Sequence, residues 1–81
     1  MRILIIEDDP VIGRSLRRGL DEAGHQCELI RDGADGLREA RTRQHDAIVL
    51  DIMLPGQSGL DVLRALRSDG VQTPVVLLTA L

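Results

Sequence analysis

The chain has 81 residues, enough for a single domain spanning 1–81, and it lacks Phe, Tyr and Trp, so its core must be aliphatic. Its net charge of −3 argues against a nucleic-acid-binding chain, and its single cysteine, Cys27, excludes an internal disulfide. No stretch is long and apolar enough for a signal peptide or a membrane span, so we expect a soluble, cytoplasmic protein.

The first half of the chain alternates between strand and helix patterns. An aliphatic run predicts strand 1 over about Arg2–Glu7. Asp9 followed by Pro10 is a typical helix start, and Gly24 is a typical helix stop. The alternating segment Gln26–Ile30 predicts a second strand at the edge of a sheet.

The second half continues the alternation. Helix 2 is expected from the Asp32-Gly33 turn to about Arg43, and strand 3 at about Ala47–Asp51. Ser58 and Asp61 resemble a capping box for helix 3, which is expected to end near Asp69-Gly70. Pro74 then opens strand 4. The apolar positions expected to face the sheet are Ile12, Leu16, Leu20 and Ala23 in helix 1, Ala34, Leu37 and Ala40 in helix 2, and Leu60, Leu63 and Leu66 in helix 3.

The strands predict the fold class. Aliphatic runs without polar alternation suit strands buried on both faces, so we expect an α/β fold with a doubly wound parallel sheet of four strands and three helices. In a parallel sheet all carboxyl ends lie on one edge, which is also where such sheets bind ligands. Glu7, Asp8, Asp51 and Thr79 follow strands and should therefore lie close together.

The expected cluster has a definite chemistry. Carboxylates that repel one another take up a cation or a proton, and oxygen ligands without Cys or paired His favour Mg²⁺ first and Mn²⁺ second. An aspartate beside such a metal can attack phosphorus, and a hydroxyl such as that of Thr79 can donate to a phosphoryl oxygen. Among the other polar residues, Asp9 is expected to cap helix 1, and His25 and His45 to be solvated surface residues. Arg14, Arg17 and Arg18 are expected to form a solvated helix face.

Four segments carry a family resemblance: Arg2-Ile-Leu-Ile-Ile-Glu-Asp-Asp9, Ile48-Val-Leu-Asp-Ile-Met-Leu-Pro-Gly56, Ser58-Gly59 and Pro74-Val-Val-Leu-Leu-Thr-Ala80. Together they resemble the CheY-like receiver domain of bacterial two-component response regulators, and in particular the OmpR/PhoB subfamily. The resemblance implies the flavodoxin-like strand order 2-1-3-4-5, with a histidine kinase as partner. It also implies a parent protein that regulates transcription, binding DNA through a domain absent from this chain.

The resemblance implies a role for each matching position. Asp51 matches the phospho-acceptor, Asp8 the direct metal ligand, and Glu7 the acidic neighbour that reaches the metal through water. Met53 matches the residue whose backbone carbonyl binds the metal. Thr79 matches the switch hydroxyl, and Ala80 the small residue beside it. The helix of Arg14, Arg17 and Arg18 matches the one that docks the kinase.

The resemblance also implies missing parts. A complete receiver has about five strand–helix units, so this chain corresponds to an incomplete receiver of four strands and three helices. The family's lysine after strand 5 has no counterpart, because the 81 residues contain no lysine. We therefore expect the chain to be no enzyme but at most an autocatalytic phospho-acceptor, with weak metal binding and slow or absent phosphorylation. The apolar strand 4 is expected to be an unpaired edge that promotes self-association.

Two other functions remain open from the residues alone. One is an assembly or interaction module that is never phosphorylated and self-associates through strand 4. The other is a phosphatase of the haloacid dehalogenase-like class, which also places an aspartate after a strand. That class requires a second aspartate two residues later, where this chain has Met53.

Overall fold

A computed structural model of the chain describes residues 1–79, and the expectation for Ala80 lies outside this range. Four parallel strands form one sheet in the order β2-β1-β3-β4, with helices between successive strands. In chain order the elements are β1 (Arg2–Ile6), α1 (Pro10–Glu22), β2 (Gln26–Ile30), α2 (Gly33–Ala40), β3 (Ala47–Asp51), α3 (Gly59–Ser68) and β4 (Val75–Leu78). The doubly wound parallel α/β fold with four strands and three helices is confirmed.

The main core lies on the sheet face covered by α2 and α3. Alternate residues of the two central strands point to that face and are fully buried, as are the inward residues of α3. These core residues are Leu4, Ile6, Ile48, Leu50, Val62 and Leu66. Each such side chain contributes about 1.5–3 kcal/mol by leaving water, which is how a chain without aromatic residues holds its sheet together.

The opposite face of the sheet is covered by α1 above β1 and β2. Gly13 allows the close approach, because a Cβ there would lie 3.1 Å from two carbon atoms of Leu29. The predicted stripe on α1 is only partly right: Leu16 is half-buried, but Ile12 is 46% exposed. On β4, Val76 is 58% exposed, since α1 packs over the other edge of the sheet.

Helix α1 begins and ends as predicted. Asp9 is its N-cap, with Oδ1 accepting hydrogen bonds from the backbone amides of Val11 at 2.8 Å and Ile12 at 3.3 Å. Pro10 occupies the first turn, where no hydrogen-bond donor is needed. Gly24 follows the helix with a φ of 94°, a left-handed conformation that favours glycine.

Helix α2 is shorter than predicted, because it ends at Ala40 and not near Arg43. Arg43 has a φ of 59°, which is incompatible with a continuing helix. The inward position expected for Ala34 is also wrong, since that residue is exposed. Gly36 is buried instead, and a Cβ there would lie 2.7 Å from Ile6.

Helix α3 differs from its prediction in two details. Ser58 is the N-cap, but its hydroxyl accepts from the amide of Leu60, and the carboxylate of Asp61 binds Arg64 at 3.1 Å. The two residues therefore form no reciprocal capping box, because the shorter aspartate pairs with an arginine one turn later. Leu60 is 38% exposed, and Val62 faces the core in its place.

The expectation that both histidines are solvated surface residues is wrong. The side chain of His45 is only 3% exposed, and its Nε2 lies 2.9 Å from Oε1 of Glu28. His25 is half-buried, with Nδ1 3.1 Å from the N-terminal amine of Met1. In the part of the chain that the structure describes, no helix has the length and apolar character needed to cross a membrane.

Candidate metal and phosphoryl site

Three carboxylates meet where β1 and β3 end. Glu7 and Asp8 follow the last residue of β1, and Asp51 is the last residue of β3, the neighbouring parallel strand. One carboxylate oxygen from each of the three lies within 4.8 Å of the other two. The structure thus brings together the acidic residues that the sequence placed at one edge of the sheet.

The backbone around this cluster holds two of the carboxylates in place. The amide of Asp9 donates to Oε2 of Glu7 at 3.1 Å. The amide of Met53 donates to Oδ1 of Asp51 at 3.0 Å. This hydrogen bond orients the carboxylate of Asp51 through Oδ1 and does not involve Oδ2.

The cluster is buried and carries excess negative charge. Glu7 is 3% exposed and Asp51 7% exposed, and none of the ion pairs among residues 1–79 includes either of them or Asp8. Burial raises the pKa of Glu7 from 4.5 to about 7. The amide of Asp9 opposes this rise, and the neighbouring carboxyl groups of Asp51 and Asp8 add to it.

This donor set fits a hard divalent cation. All three groups offer oxygen, the ligand that Mg²⁺ and Mn²⁺ prefer, and a cation there would favour the charged form of Glu7, which burial disfavours. Glu7, Asp8 and Asp51 are therefore the residues that would hold the metal. Met53, whose backbone carbonyl the resemblance assigns to the metal, lies two residues after Asp51 and is 69% exposed.

A cleft of about 400 Å³ opens over the cluster. Its polar floor is formed by the acids, and Thr79 lies on its rim directly after β4. Ile12, Leu16 and Leu78 supply apolar walls. A small anionic group could enter this cleft and reach Asp51 and the hydroxyl of Thr79 from the solvent side.

Gly59 and Arg31 support the cluster, and neither was given a role from the sequence. A Cβ on Gly59 would lie 2.1 Å from the backbone oxygen of Asp51, so only glycine lets α3 begin against the end of β3. Arg31 donates to the backbone oxygen of Asp8 at 3.4 Å. The sequence signal for Gly59 is its position directly after a serine that caps the helix. The contact of Arg31 joins residues 23 apart in the chain and has no local signature in the sequence.

The family model for the response regulator receiver domain matches residues 3–81. The chain belongs to this family. Its matched region covers all seven elements except Arg2, the first residue of β1, and includes the three strand ends that form the acidic cleft. The resemblance inferred from the sequence motifs is thereby confirmed, and the chain is a receiver domain of a two-component response regulator.

Curated relatives are transcriptional regulators. The transcriptional activator protein IrlR of Burkholderia pseudomallei is 51% identical over 80 residues, which are 99% of this chain and 34% of IrlR. The transcriptional regulatory protein PcoR of Escherichia coli is 48% identical over 79 residues, 98% of this chain and 35% of PcoR. The chain thus spans about a third of the length of the curated relatives it matches.

Solved receiver domains share the fold closely. The receiver domain of the Francisella response regulator 1452 superposes with a TM-score of 0.93 at 32% identity, covering 99% of this chain and 66% of that one. The response regulator TrrA of Thermotoga maritima, solved in complex with Mg²⁺ and BeF, gives a TM-score of 0.92 at 34% identity and covers 99% and 70%. Receiver domains bind Mg²⁺ in an acidic pocket, and this chain has such a pocket.

Proposed function

We propose that Asp51 accepts a phosphoryl group from the phosphohistidine of a histidine kinase, at a metal site formed by Glu7, Asp8, Asp51 and the backbone carbonyl of Met53. The observation that supports this most directly is the convergence of three carboxylates, two of them buried, in an open cleft. Mg²⁺, or Mn²⁺ in its place, would supply neutralising charge for the phosphoryl oxygens.

The chain's own residues account for the remaining chemistry. A carboxylate oxygen of Asp51 forms a bond to phosphorus while the bond from phosphorus to the histidine nitrogen breaks, so the product is an acyl phosphate and the imidazole leaves. The amide of Met53 orients the attacking carboxylate by its 3.0 Å hydrogen bond to Oδ1. Asp51 is consumed once per transfer, so the domain acts as an acceptor and not as an enzyme.

Thr79 is proposed as the switch hydroxyl. It is exposed on the rim of the cleft at the end of β4, where rotation of its side chain would bring the hydroxyl toward a phosphoryl oxygen. A hydrogen bond made only in the phosphorylated state would favour one arrangement of β4 over another. This is how modification of Asp51 would reach a surface beyond the cleft.

The wider activity is proposed from the relatives. IrlR and PcoR are named as regulators of transcription, and each is about three times as long as this chain. We therefore propose that the receiver controls a DNA-binding transcriptional regulator in the cytoplasm. The exposed arginines of α1, Arg14, Arg17 and Arg18, are proposed as part of the surface that meets the kinase.

The test uses acetyl phosphate as a small phosphoryl donor with Mg²⁺, and mass spectrometry as the readout. The 81 residues contain no lysine to assist, so we expect slow, partial addition of one phosphoryl group to the 81-residue chain. Asp51→Asn should abolish the addition. Asp61→Asn is the matched control, because this exposed aspartate on α3 binds only Arg64. A phosphoryl group that still adds to Asp51→Asn would contradict the assignment.

One observation favours a second candidate function, an assembly module that is not phosphorylated. Among residues 1–79, β4 is an edge strand with an unpaired side, and Val76 on this strand is 58% exposed. Such an edge can pair with a second copy. This function predicts no Mg²⁺-dependent change in thermal stability, whereas the phospho-acceptor function predicts an increase that Asp8→Asn removes.

A further inference from the structure

A second cluster of metal-ligating side chains lies away from the acidic cleft. It joins Glu28 in the middle of β2, Glu39 near the end of α2 and His45 just before β3. One ligand atom from each residue lies within 4.8 Å of the other two. The same three side chains line a cavity of about 320 Å³, together with Arg2, Gln26 and Gln44.

His45 is the unusual member of this cluster. Its side chain is only 3% exposed, and Nε2 lies 2.9 Å from Oε1 of Glu28. Its Nδ1 is buried and has no hydrogen-bond partner within residues 1–79. Buried polar atoms are nearly always paired, and an unpaired one commonly signals an ion or an ordered water. An ordered water would account for Nδ1, whereas an ion shared with Glu28 and Glu39 would bind Nε2, the ring nitrogen that faces Glu28.

The charges around the cavity favour a cation. Glu28 and Glu39 contribute two carboxylates, and Arg2 is the only positively charged side chain among the lining residues. Glu28 is 47% exposed in its side chain, so the cavity is open to ions from solvent. A cation between the two glutamates and the imidazole would relieve the repulsion of the carboxylates and bind Nε2, the ring nitrogen that faces Glu28.

We propose that Glu28, Glu39 and His45 form a second metal site, for a borderline divalent ion such as Zn²⁺. Imidazole is a preferred ligand of Zn²⁺ but not of Mg²⁺, and one histidine with two carboxylates is a donor set that zinc accepts. Zinc binds nitrogen and carboxylate oxygen at about 2.0–2.2 Å, so its ligands are at most about 4.4 Å apart. Small movements of the three side chains would therefore bring their ligand atoms to zinc-binding distances. Solvent would complete the coordination.

This site would differ from the acidic cleft in both chemistry and place. The cleft offers oxygen alone at the carboxyl ends of β1 and β3, whereas this cluster offers nitrogen and oxygen between β2 and α2. The ion would tie an edge strand to a helix and to the segment before β3. We therefore expect it to stabilise the fold without occupying Asp51.

The test is a calorimetric titration of the full chain with Zn²⁺ alone as probe, in excess Mg²⁺ so that the acidic cleft is occupied. We expect one equivalent to bind with a Kd in the micromolar range, and the melting temperature to rise. Glu39→Gln and His45→Gln should each weaken binding about tenfold or more. His25→Gln is the matched control. His25 lies 3.1 Å from the N-terminal amine, so these two nitrogens are the alternative place where zinc could bind.

Two results would overturn the proposal. One is the absence of zinc binding up to millimolar concentrations. The other is binding that survives both Glu28→Gln and Glu39→Gln, or that His25→Gln removes. Because Glu28 and Glu39 are partly exposed, their variants remain informative even if His45→Gln does not fold. The ring nitrogens of His45 should shift in NMR spectra on addition of zinc, while those of His25 should not.

Discussion

Glu7 should make the stability of the metal-free domain depend on pH. Its pKa is about 7 in the folded chain against 4.5 for an ordinary glutamate, because burial disfavours the charged form. The stabilising contribution is therefore fully present below pH 4.5 and is lost as the pH rises through 7. This pKa shift corresponds to a decrease in the free energy of unfolding on the order of 3 kcal/mol between pH 4.5 and 8.

The measurement is urea unfolding in the presence of a chelator, at several pH values. Glu7→Gln should remove most of this dependence, because the amide stays neutral throughout. Glu22→Gln is the control, since Glu22 is an exposed residue on α1 paired with Arg18. Equal pH dependence in the wild type and in Glu7→Gln would refute the role of burial. Mg²⁺ should stabilise the wild type more at pH 8 than at pH 5, because it competes with the proton.

At the scale of residues, the acidic cluster was predictable and the zinc cluster was not. Glu7, Asp8 and Asp51 each follow an aliphatic run, so strand direction alone places them on one edge. Glu28 and His45 are 17 residues apart and lie on an edge strand and in a loop. No periodicity links them, which is why His45 was wrongly expected to be exposed.

Gly36 tests how closely α2 approaches the sheet. A Cβ on Gly36 would lie 2.7 Å from Ile6 in the fully buried centre of β1, so Gly36→Ala must displace α2 or Ile6. We expect it to destabilise the fold by about 1–3 kcal/mol, the cost typical of overpacking. Thermal or urea unfolding measures this change.

Gly19→Ala is the matched control in α1. Nothing lies within 4 Å of a Cβ there, and the residue is exposed. Alanine should stabilise this helix by about 1 kcal/mol relative to glycine. If both variants changed stability in the same direction, the close contact of α2 with Ile6 would not be the controlling feature.

At the scale of elements, strands were easier to predict than the ends and faces of helices. β2 and β3 have the expected bounds because the alternating segment of β2 and the aliphatic run of β3 are bordered by turn residues and charges. The end of α2 at Ala40 depends on the left-handed conformation of Arg43, a residue type with no preference for it. Two of the four buried residues of α2, Gly33 and Gly36, are glycines, which carry no hydrophobic signal.

At the scale of the whole molecule, β4 and the face beside it are open in the described residues. Val76 is 58% exposed on β4, and Ile12 is 46% exposed on α1, which packs over β2 and β1. If copies associate through this surface, Val76→Lys should shift the chain toward monomer, because a lysine there would have to be desolvated. Light scattering at micromolar to millimolar concentration measures the shift.

Val11→Lys is the control for that experiment, since Val11 is an equally apolar and 67% exposed residue at the start of α1. A wild-type chain that remains monomeric at every concentration would contradict association. So would equal effects of the two lysine variants. The strand order that creates this edge was implied by the family resemblance. Which copy or segment covers the edge is a property of the assembly and has no signature in a single sequence.

The contact between α3 and the end of β3 brings the two ends of the loop of residues 52–58 close together. The amide of Gly59 donates to the backbone oxygen of Ile52 at 2.9 Å, so the two ends of this loop are fastened to each other. Pro55 and Gly56 at its tip are exposed, and doubling the length of a loop with fixed ends costs only about 0.6 kcal/mol. A fluorophore or a short peptide inserted between them should therefore report on the neighbouring carboxylates while leaving Asp51 in place.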